Sequence, residues 1–401
     1  MSRRILAVIF LAAVAARAAV GLSLEDRIYF ADGRDYAAMA RNILEGTGPR
    51  LNERTVANRG PGYAYYVAGV MAAFARTGEQ VPLRAIRLSH ALLGGLLCLV
   101  VAGIASRLFS PKAGLAAAAL TALDPFLTFF SGFVLTESLF TLLLAAGFLF
   151  LLYSRDGKII WAGIAGLTLG GAALVRPSVL AMLPLLGLAW LALNRKQPHV
   201  FACTVAMWLL AFSTVLPWGI RNHRLTGRYA LSTLSAGASL YEGTYPGADG
   251  APAMDRIEWP PEIYCMGEAE KNEFLQRRAV EFIRGNPQRI ARLAPVKLAR
   301  FWSIVPNFSE YRRPAFMAIS AIYMIPVLAA IAAGILLAGS KLKPGAILLL
   351  PAIYFSLLHT VFVGSIRYRA PVMPLLAVFA GVTVAAAIEW LCRRRRAAAP
   401  Q

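Results

Sequence analysis

Residues 134–153 read VLTESLFTLLLAAGFLFLLY. Glu137 is the one charged residue in the stretch, and everything after Ser138 is apolar apart from Thr141, Gly147 and the closing tyrosine. A run of about 18 or more apolar residues is long enough to cross a bilayer core of roughly 30 Å as a helix. No water reaches that core, so the backbone must satisfy its own N–H and C=O groups, as a helix does. Runs of the same kind lie near 1–22, 86–107, 112–131, 159–175, 178–193, 199–218, 315–338, 344–363 and 371–391. The expected fold is therefore an all-α polytopic membrane protein, a bundle of about ten transmembrane helices.

Composition agrees. Of 401 residues, 58% are hydrophobic and 15% charged, with a mean hydropathy of +0.58. Soluble chains carry about a quarter charged residues. The net charge of +20 would point to nucleic acid in a soluble protein, but no nucleic-acid-binding motif accompanies it. Basic loops and anionic headgroups account for it better, so membrane lipids, and no nucleic acid, are the expected partners. Cys98, Cys203, Cys265 and Cys392 have no metal-ligand spacing, and only Cys265 lies in a long polar segment, so no intramolecular disulfide is expected.

The start, MSRRILAVIFLAAVAARAAVGL, has the form of a signal peptide, but the many later spans favour an uncleaved first helix. Arg17 within it is expected to snorkel toward the interface. Basic residues set the orientation. With Arg3 and Arg4 inside, the loops bearing Arg107 and Lys112, Arg155 and Lys158, Arg195 and Lys196, and Lys341 and Lys343 fall on the cytoplasmic side, as does the run Arg393 to Arg396. Both termini are then cytoplasmic, and the protein is expected in the cytoplasmic (inner) membrane. Three segments follow. Residues 1–218 form an N-terminal transmembrane module with a large first outer loop at about 23–85. Residues 219–314 form an outer, periplasmic loop, and 315–401 the last spans with a basic tail. In the first loop, 35–45 reads as a helix, and 63–76 as an apolar helix too short to span. In the second, 268–284 and 288–303 read as amphipathic helices, the latter turning Arg289, Arg292, Lys297 and Arg300 to headgroups.

Ionisable residues in apolar surroundings mark sites. Asp32 and Asp35 flank Gly33-Arg34 just past the first span. They fit either a solvated loop with Asp32 as a helix N-cap, or a general base beside a membrane cavity. Arg59, in Asn58-Arg59-Gly60-Pro61-Gly62-Tyr63, stands at a loop-to-helix junction and can hold a phosphate through paired N–H donors. Glu137 can serve the helix dipole or a site. Asp124, before Pro125, needs protonation, an arginine or a metal to offset burial. Arg176, Arg221, Arg367 and Arg369 map to the same membrane face as Asp32 and Glu137, as interfacial anchors or as a site for an anionic headgroup. His90, His199, His223 and His359 have no ligand partner at i+3 or i+4, and His359 is the best placed for a metal. The absence of Walker, HExxH and GxSxG motifs leaves ATP-driven transport and serine hydrolysis without support.

The order DGRDYAAMARNILEGTGP, RGPGYAYYVAG, LTESLFTLLL, ALVRPSVL, PWGIRNHRLTGRYALST, LYEGTYP and RYRAPVMPLLAVFAG resembles the polyprenyl-phosphate-sugar-dependent glycosyltransferases of the GT-C fold. It is most similar to bacterial relatives of protein O-mannosyltransferases and the lipid A aminoarabinose transferase, glycosyltransferase family 39. The resemblance implies a GT-C-like bundle with interfacial helices in the first outer loop. It implies Asp32 as the catalytic acid position, with Asp35 second, and Glu137 as the acid of the second outer loop. Arg59, Tyr63, Arg176 and Arg221 are then substrate-binding candidates, with Arg367 and Arg369 as the late basic motif near the donor phosphate. The family's commoner Asp-Glu pair is here Asp32-Gly33. With no C-terminal periplasmic domain expected, the 219–314 loop is expected to do the acceptor work. The implied activity is inverting transfer of a sugar from a polyprenyl-phosphate donor to an acceptor lipid, glycan or protein at the outer face. No cofactor is implied with certainty, and a divalent metal is left open. A transporter or flippase of lipid-linked sugars is the competing class, but polar residues gathered at one face without an internal repeat favour an enzyme. A glycan ligase or polymerase is the third reading.

Overall fold

A computed structural model describes residues 2–74, 81–308 and 311–397, with no side-chain description beyond residue 395. The last two residues of the helix expected at 63–76 therefore lie outside the described residues, as do Met1 and 398–401 of the terminal segments and the side chain of Arg396. Among the described residues every regular element is a helix. Among the described residues seven helices are long and apolar enough to cross a membrane, or eight if a bent pair counts as one span. They start with α1 (Arg3–Ser23), α4 (Leu83–Leu108), α7 (Glu137–Ser154) and α10 (His199–Thr226). Next comes α14 (Pro314–Leu337), then the composite spans Gly339–Val361 and Ile366–Arg395. Those last two contain α15 (Leu342–Gly345) and α16 (Leu350–Val361), then α17 (Ile366–Arg369) and α18 (Met373–Ala397). The chain is a multi-pass membrane protein.

The expected count of ten is not reached by length, and proline is the main reason. The run at 112–131 is two helices, α5 (Pro111–Leu123) and α6 (Pro125–Ser131), bent by 54°. Pro125 has no N–H to continue the ladder, and it biases Asp124 toward extended backbone. Arg176-Pro177 likewise stops α8 (Ile159–Val175) after 17 residues, and α9 resumes only at Met182–Leu193.

Helix α4 packs against α1, α5 and α7, and α8 joins α7 to α10, while α18 lies between α5 and α14. The outward sides are apolar: Leu11 is 62% exposed, Ile322 75% and Leu336 83%, as a lipid-facing surface requires. Arg17 does not snorkel. It is 1% exposed, and its guanidinium donates to the carbonyls of Ala13 (3.2 Å), Ala122 (3.2 Å) and Thr121 (3.0 Å). The physical cause is the break beside it. Thr121 C=O would meet the missing Pro125 N–H, and the Phe126 N–H that Ala122 C=O would accept goes instead to Asp124 Oδ1 (2.8 Å). Gly94 makes room, since a Cβ there would lie 2.3 Å from Arg17 Cδ. Asp124 also accepts from Leu127 N–H (3.0 Å), so it caps α6.

Between α1 and α4 lie α2 (Ala31–Leu44) and α3 (Pro61–Phe74), packed on each other. Between α10 and α14 lie α11 (Ala236–Thr244), α12 (Glu268–Gly285) and α13 (Pro287–Phe301). These helices lie within residues 23–85 and 219–314, and one expected orientation is corrected. Lys297 does not face headgroups. It shares a helix face with Leu293 and Phe301, is fully buried, and donates from Nζ to Val361 O at 2.6 Å. Burial pushes its ammonium down to about 8.

Replacing Arg17 with leucine strips the Thr121 and Ala122 carbonyls of their donors. We expect a loss of about 2–5 kcal/mol, since each unsatisfied buried group costs roughly 1–3 kcal/mol. Thermal unfolding of the detergent-purified protein reads this as a lowered midpoint, and an unchanged midpoint would deny Arg17 its capping role.

Candidate active site

Asp32 is the second residue of α2, whose N-cap is Phe30 with no side-chain cap bond, so Asp32 is not the cap that loop spacing suggested. Asp32, Asp35 and Tyr36 follow i, i+3, i+4 spacing and share one helix face. Arg59 comes from the loop before α3, and Pro61 at the first position of α3 starts that helix just beyond it. Glu137 opens α7, Arg176 closes α8, and Arg367 lies in α17 at the start of the last span.

These pieces converge. Arg59 Nη2 lies 2.7 Å from Asp32 Oδ1 and 2.9 Å from Asp35 Oδ2. Arg59 Nε also donates to Asp35 Oδ2 at 3.2 Å. Arg367 donates from Nη1 to Asp32 Oδ2 at 2.8 Å and from Nε to Glu137 Oε1. Arg176 Nη2 meets the same Glu137 oxygen at 2.6 Å, and its Nε donates to Thr136 Oγ1 at 2.7 Å. Three arginines and three carboxylates thus form one continuous chain of ion pairs. Exposure falls along it, from 30% for the Arg59 side chain and 24% for Asp32 to 2% for Glu137. The Asp32–Arg59 end is the accessible one.

Burial would raise the Asp32 carboxyl, but Arg367 and Arg59 outweigh it and hold the group well below the usual carboxylate range. Asp32 is therefore ionised at neutral pH. Burial similarly opposes the Arg59 cation, but Asp32, Tyr36 and Asp35 together more than offset it. The Tyr36 hydroxyl, 5% exposed, is pushed up to about 12 by burial.

Tyr63 is at the back of the site rather than in it. It is fully buried, edge-on to Tyr36, and its hydroxyl pairs with His90 Nε2 at 3.0 Å. His90 Nδ1 donates to Ser131 O (3.2 Å), which leaves Nε2 as the acceptor. Two expected members stand apart. Arg369 points to the other side of its helix, over Phe126 and toward Met324, with Nη1 donating to Ser303 O at 2.6 Å. Arg221 stacks on Trp218 and donates to Val56 O (2.5 Å) and Pro49 O (3.4 Å). In each case the guanidinium is spent on carbonyls of loop or helix-end backbone. His359 donates from Nδ1 to Val363 O (2.8 Å) and stacks on Tyr368. Among the described residues no group of three or more His, Cys, Asp or Glu side chains is placed to hold a metal.

Sequence reasoning missed Glu242 and Glu268. Glu242, in α11 and 5% exposed, accepts from Ala253 N–H (2.7 Å) and Met254 N–H (3.1 Å), and burial raises its carboxyl. Glu268 accepts from Val56 and Ala57 N–H, 212 and 211 residues away. The only signal for either was an acid within Leu240–Pro246 or at the start of an amphipathic stretch, and no local pattern reports a partner so distant.

Solved structures share this arrangement of helices. The oligosaccharyltransferase of Archaeoglobus fulgidus in its apo form superposes with a TM-score of 0.63 at 14% identity, over 98% of this chain and 51% of that one. The chain has the GT-C fold. It spans about half the length of that archaeal protein. The same oligosaccharyltransferase, AglB, in complex with an inhibitory peptide and a dolichol-phosphate, gives a TM-score of 0.58 at 16% identity, covering 98% and 52%. ArnT from Cupriavidus metallidurans bound to undecaprenyl phosphate gives 0.43 at 16% identity, covering 95% and 78%. Residues 58–218 match the family model of dolichyl-phosphate-mannose-protein mannosyltransferase. No curated protein matches the chain in sequence. The GT-C fold thus carries an ion-pair chain assembled from five separate parts of this sequence.

Substituting Glu137 with glutamine leaves Arg176 and Arg367 facing each other without their shared counter-charge in a buried setting. The expected cost is about 3–5 kcal/mol of stability. Asp35→Asn, at the exposed end, should cost less than about 1 kcal/mol. Chemical or thermal unfolding in detergent distinguishes the two, and equal losses would contradict the gradient of burial.

Proposed function

We propose that this protein is a membrane glycosyltransferase that moves a sugar from a polyprenyl-phosphate donor to an acceptor lipid, glycan or protein. The observation that carries this reading is the chain of Arg59, Arg176 and Arg367 around Asp32 and Glu137 in a GT-C fold. A lipid-linked sugar phosphate brings an anion to the membrane edge, and clustered guanidinium groups are suited to such an anion. The donor tail would lie between helices in the bilayer. An acceptor hydroxyl attacks the anomeric carbon, its proton passes to an Asp32 oxygen, and the bond from that carbon to the phosphate oxygen breaks. Polyprenyl phosphate leaves with the bonding electrons. Direct displacement inverts the anomeric centre, with no second carboxylate as nucleophile.

Asp32 is a weak base in its resting pairing, yet this suits the step. A hydroxyl oxygen becomes strongly acidic once it bonds to the anomeric carbon, so an ionised carboxylate within reach suffices. The arginines offset the charge that develops on the leaving phosphate. Glu137, nearly sealed, holds Arg176 and Arg367 in place rather than meeting substrate.

The sidedness follows the basic loops. Arg107 pairs with Asp156 (2.6 Å), Lys112 with Glu389 (2.9 Å), and Lys341 Nζ donates to Phe109 O (3.1 Å), all at the helix ends away from the ion-pair chain. That clustering supports cytoplasmic termini and a site on the outer face of the inner membrane. The 219–314 segment, whose α11 and α12 pack together on that side, is the part we assign to the acceptor.

Asp32→Asn should retain the fold and lose about 10²–10⁴ in turnover. The assay is consumption of labelled undecaprenyl-phosphate monosaccharides by membranes holding the protein. Normal turnover by the mutant would remove Asp32 as base. No consumption by the wild type would favour a flippase or whole-glycan transfer. The depressed carboxyl also sets a pH expectation. Asp32 stays ionised down to its folded value, so the loss of activity on acidification attributable to it falls below the ordinary carboxylate value of about 4. An acid limb between pH 5 and 7 that moves on Asp32→Glu substitution would contradict the resting ion pairs.

A further inference from the structure

Arg59 is the most exposed of the three arginines, and its placement depends on the chain just before it. Val56 and Ala57 have all four backbone polar groups held by the second outer segment and the end of α10. Glu268 Oε2 accepts from Val56 N–H and from Ala57 N–H, both at 2.9 Å, and Oε1 lies 3.2 Å from the Ala57 nitrogen. Arg221 Nη1 donates to Val56 O at 2.5 Å, and Leu234 N–H donates to Ala57 O at 2.8 Å. Ala57 is fully buried. On the other side, Gly60 lies so close to the end of α8 that a Cβ would sit 2.2 Å from Leu174 O. Arg59 is thus fixed between two clamps, one on each side in sequence.

An acid in the first turn of α12 has an ordinary explanation in the helix dipole. It does not explain a carboxylate that reaches across to two consecutive N–H groups of another segment. A surface acid serving only its own helix leaves those donors to water. Here the N–H of Ala57, a fully buried residue, would lose its acceptor together with that of half-buried Val56, and a loop so released would let Arg59 drift from Asp32 and Asp35.

We propose that Glu268 is a positioning residue for the transfer reaction, acting through the Val56–Ala57 backbone to hold Arg59 against Asp32. This rests on the transferase reading above. It makes the second outer segment a determinant of how the first outer loop presents its charges, so the part of the chain assigned to the acceptor also sets the geometry of the base.

The test is a double-mutant cycle between Glu268 and Arg59, measured as turnover of whichever of undecaprenyl-phosphate mannose, glucose or aminoarabinose the wild-type protein consumes. Glu268→Ala should lower kcat by about 10- to 100-fold, the scale of a misplaced catalytic group, with little change in KM for the donor. Glu268→Gln, which keeps one acceptor oxygen, should recover part of that loss. In the Arg59→Ala background, Glu268→Ala should cost less than about 3-fold, because coupled residues are not additive. The same fold-loss in both backgrounds would overturn the proposal, since Glu268 would then act independently of Arg59. If Glu268→Ala does not yield folded protein, the cycle is run with Glu268→Gln and read the same way. Failure of the wild type to consume any of the three donors would instead strike the transferase reading, and this inference with it.

Discussion

Arg367 donates at once to Asp32 and to Glu137, and so ties the last span to α2 and to the start of α7. Charges at the edge of a bilayer persist only when they are paired, because an isolated ion in a medium of low dielectric is costly. That constraint explains why the site is a chain rather than a set of separate groups. Each arginine contacts at least one carboxylate, and Asp32 and Glu137 each contact two arginines. Removing Glu137 strands Arg176 and Arg367 in a buried setting, whereas the end formed by Asp32, Arg59 and Asp35, which is partly exposed, tolerates change with less loss of stability. The gradient from sealed to open also matches the roles proposed above, with Glu137 as a fixed anchor and Asp32 as the group a substrate would reach.

The same constraint operates a second time, deeper in the fold. The Asp124-Pro125 break frees the carbonyls of Thr121 and Ala122, and Arg17 from α1 supplies their donors. A cation within an apolar helix is thereby satisfied by backbone dipoles instead of a counter-ion or the interface. Asp124 uses its own carboxylate to cap the helix that follows.

How much of this was legible beforehand follows from the range over which each signal acts. Apolar length is local, so the spans near 86–107, 134–153 and 315–338 were placed within a few residues by sequence alone. Proline is local too, but whether it ends a helix or bends it depends on packing, and Pro125 and Pro177 are where helix length does not confirm the count of ten. Asp32, Glu137, Arg176 and Arg367 stood out because each is a charge at the margin of an apolar run, all on one expected face. Arg221 and Arg369 carried the same mark and proved to serve backbone carbonyls. Sidedness tells which membrane face a residue occupies, not which way its side chain turns around the helix. Glu268 was invisible for the opposite reason. It sits in a polar helix where acids are ordinary, and its partners are more than 200 residues away.

The central claim is that the arginines around Asp32 receive the phosphate of a lipid-linked donor. A structure of the protein with undecaprenyl phosphate bound tests it most directly. The account places the phosphate within hydrogen-bond reach of at least one of Arg59, Arg176 and Arg367, with the tail running between helices into the bilayer. A phosphate lodged on α13, at Arg221, or at the opposite ends of the helices would contradict it.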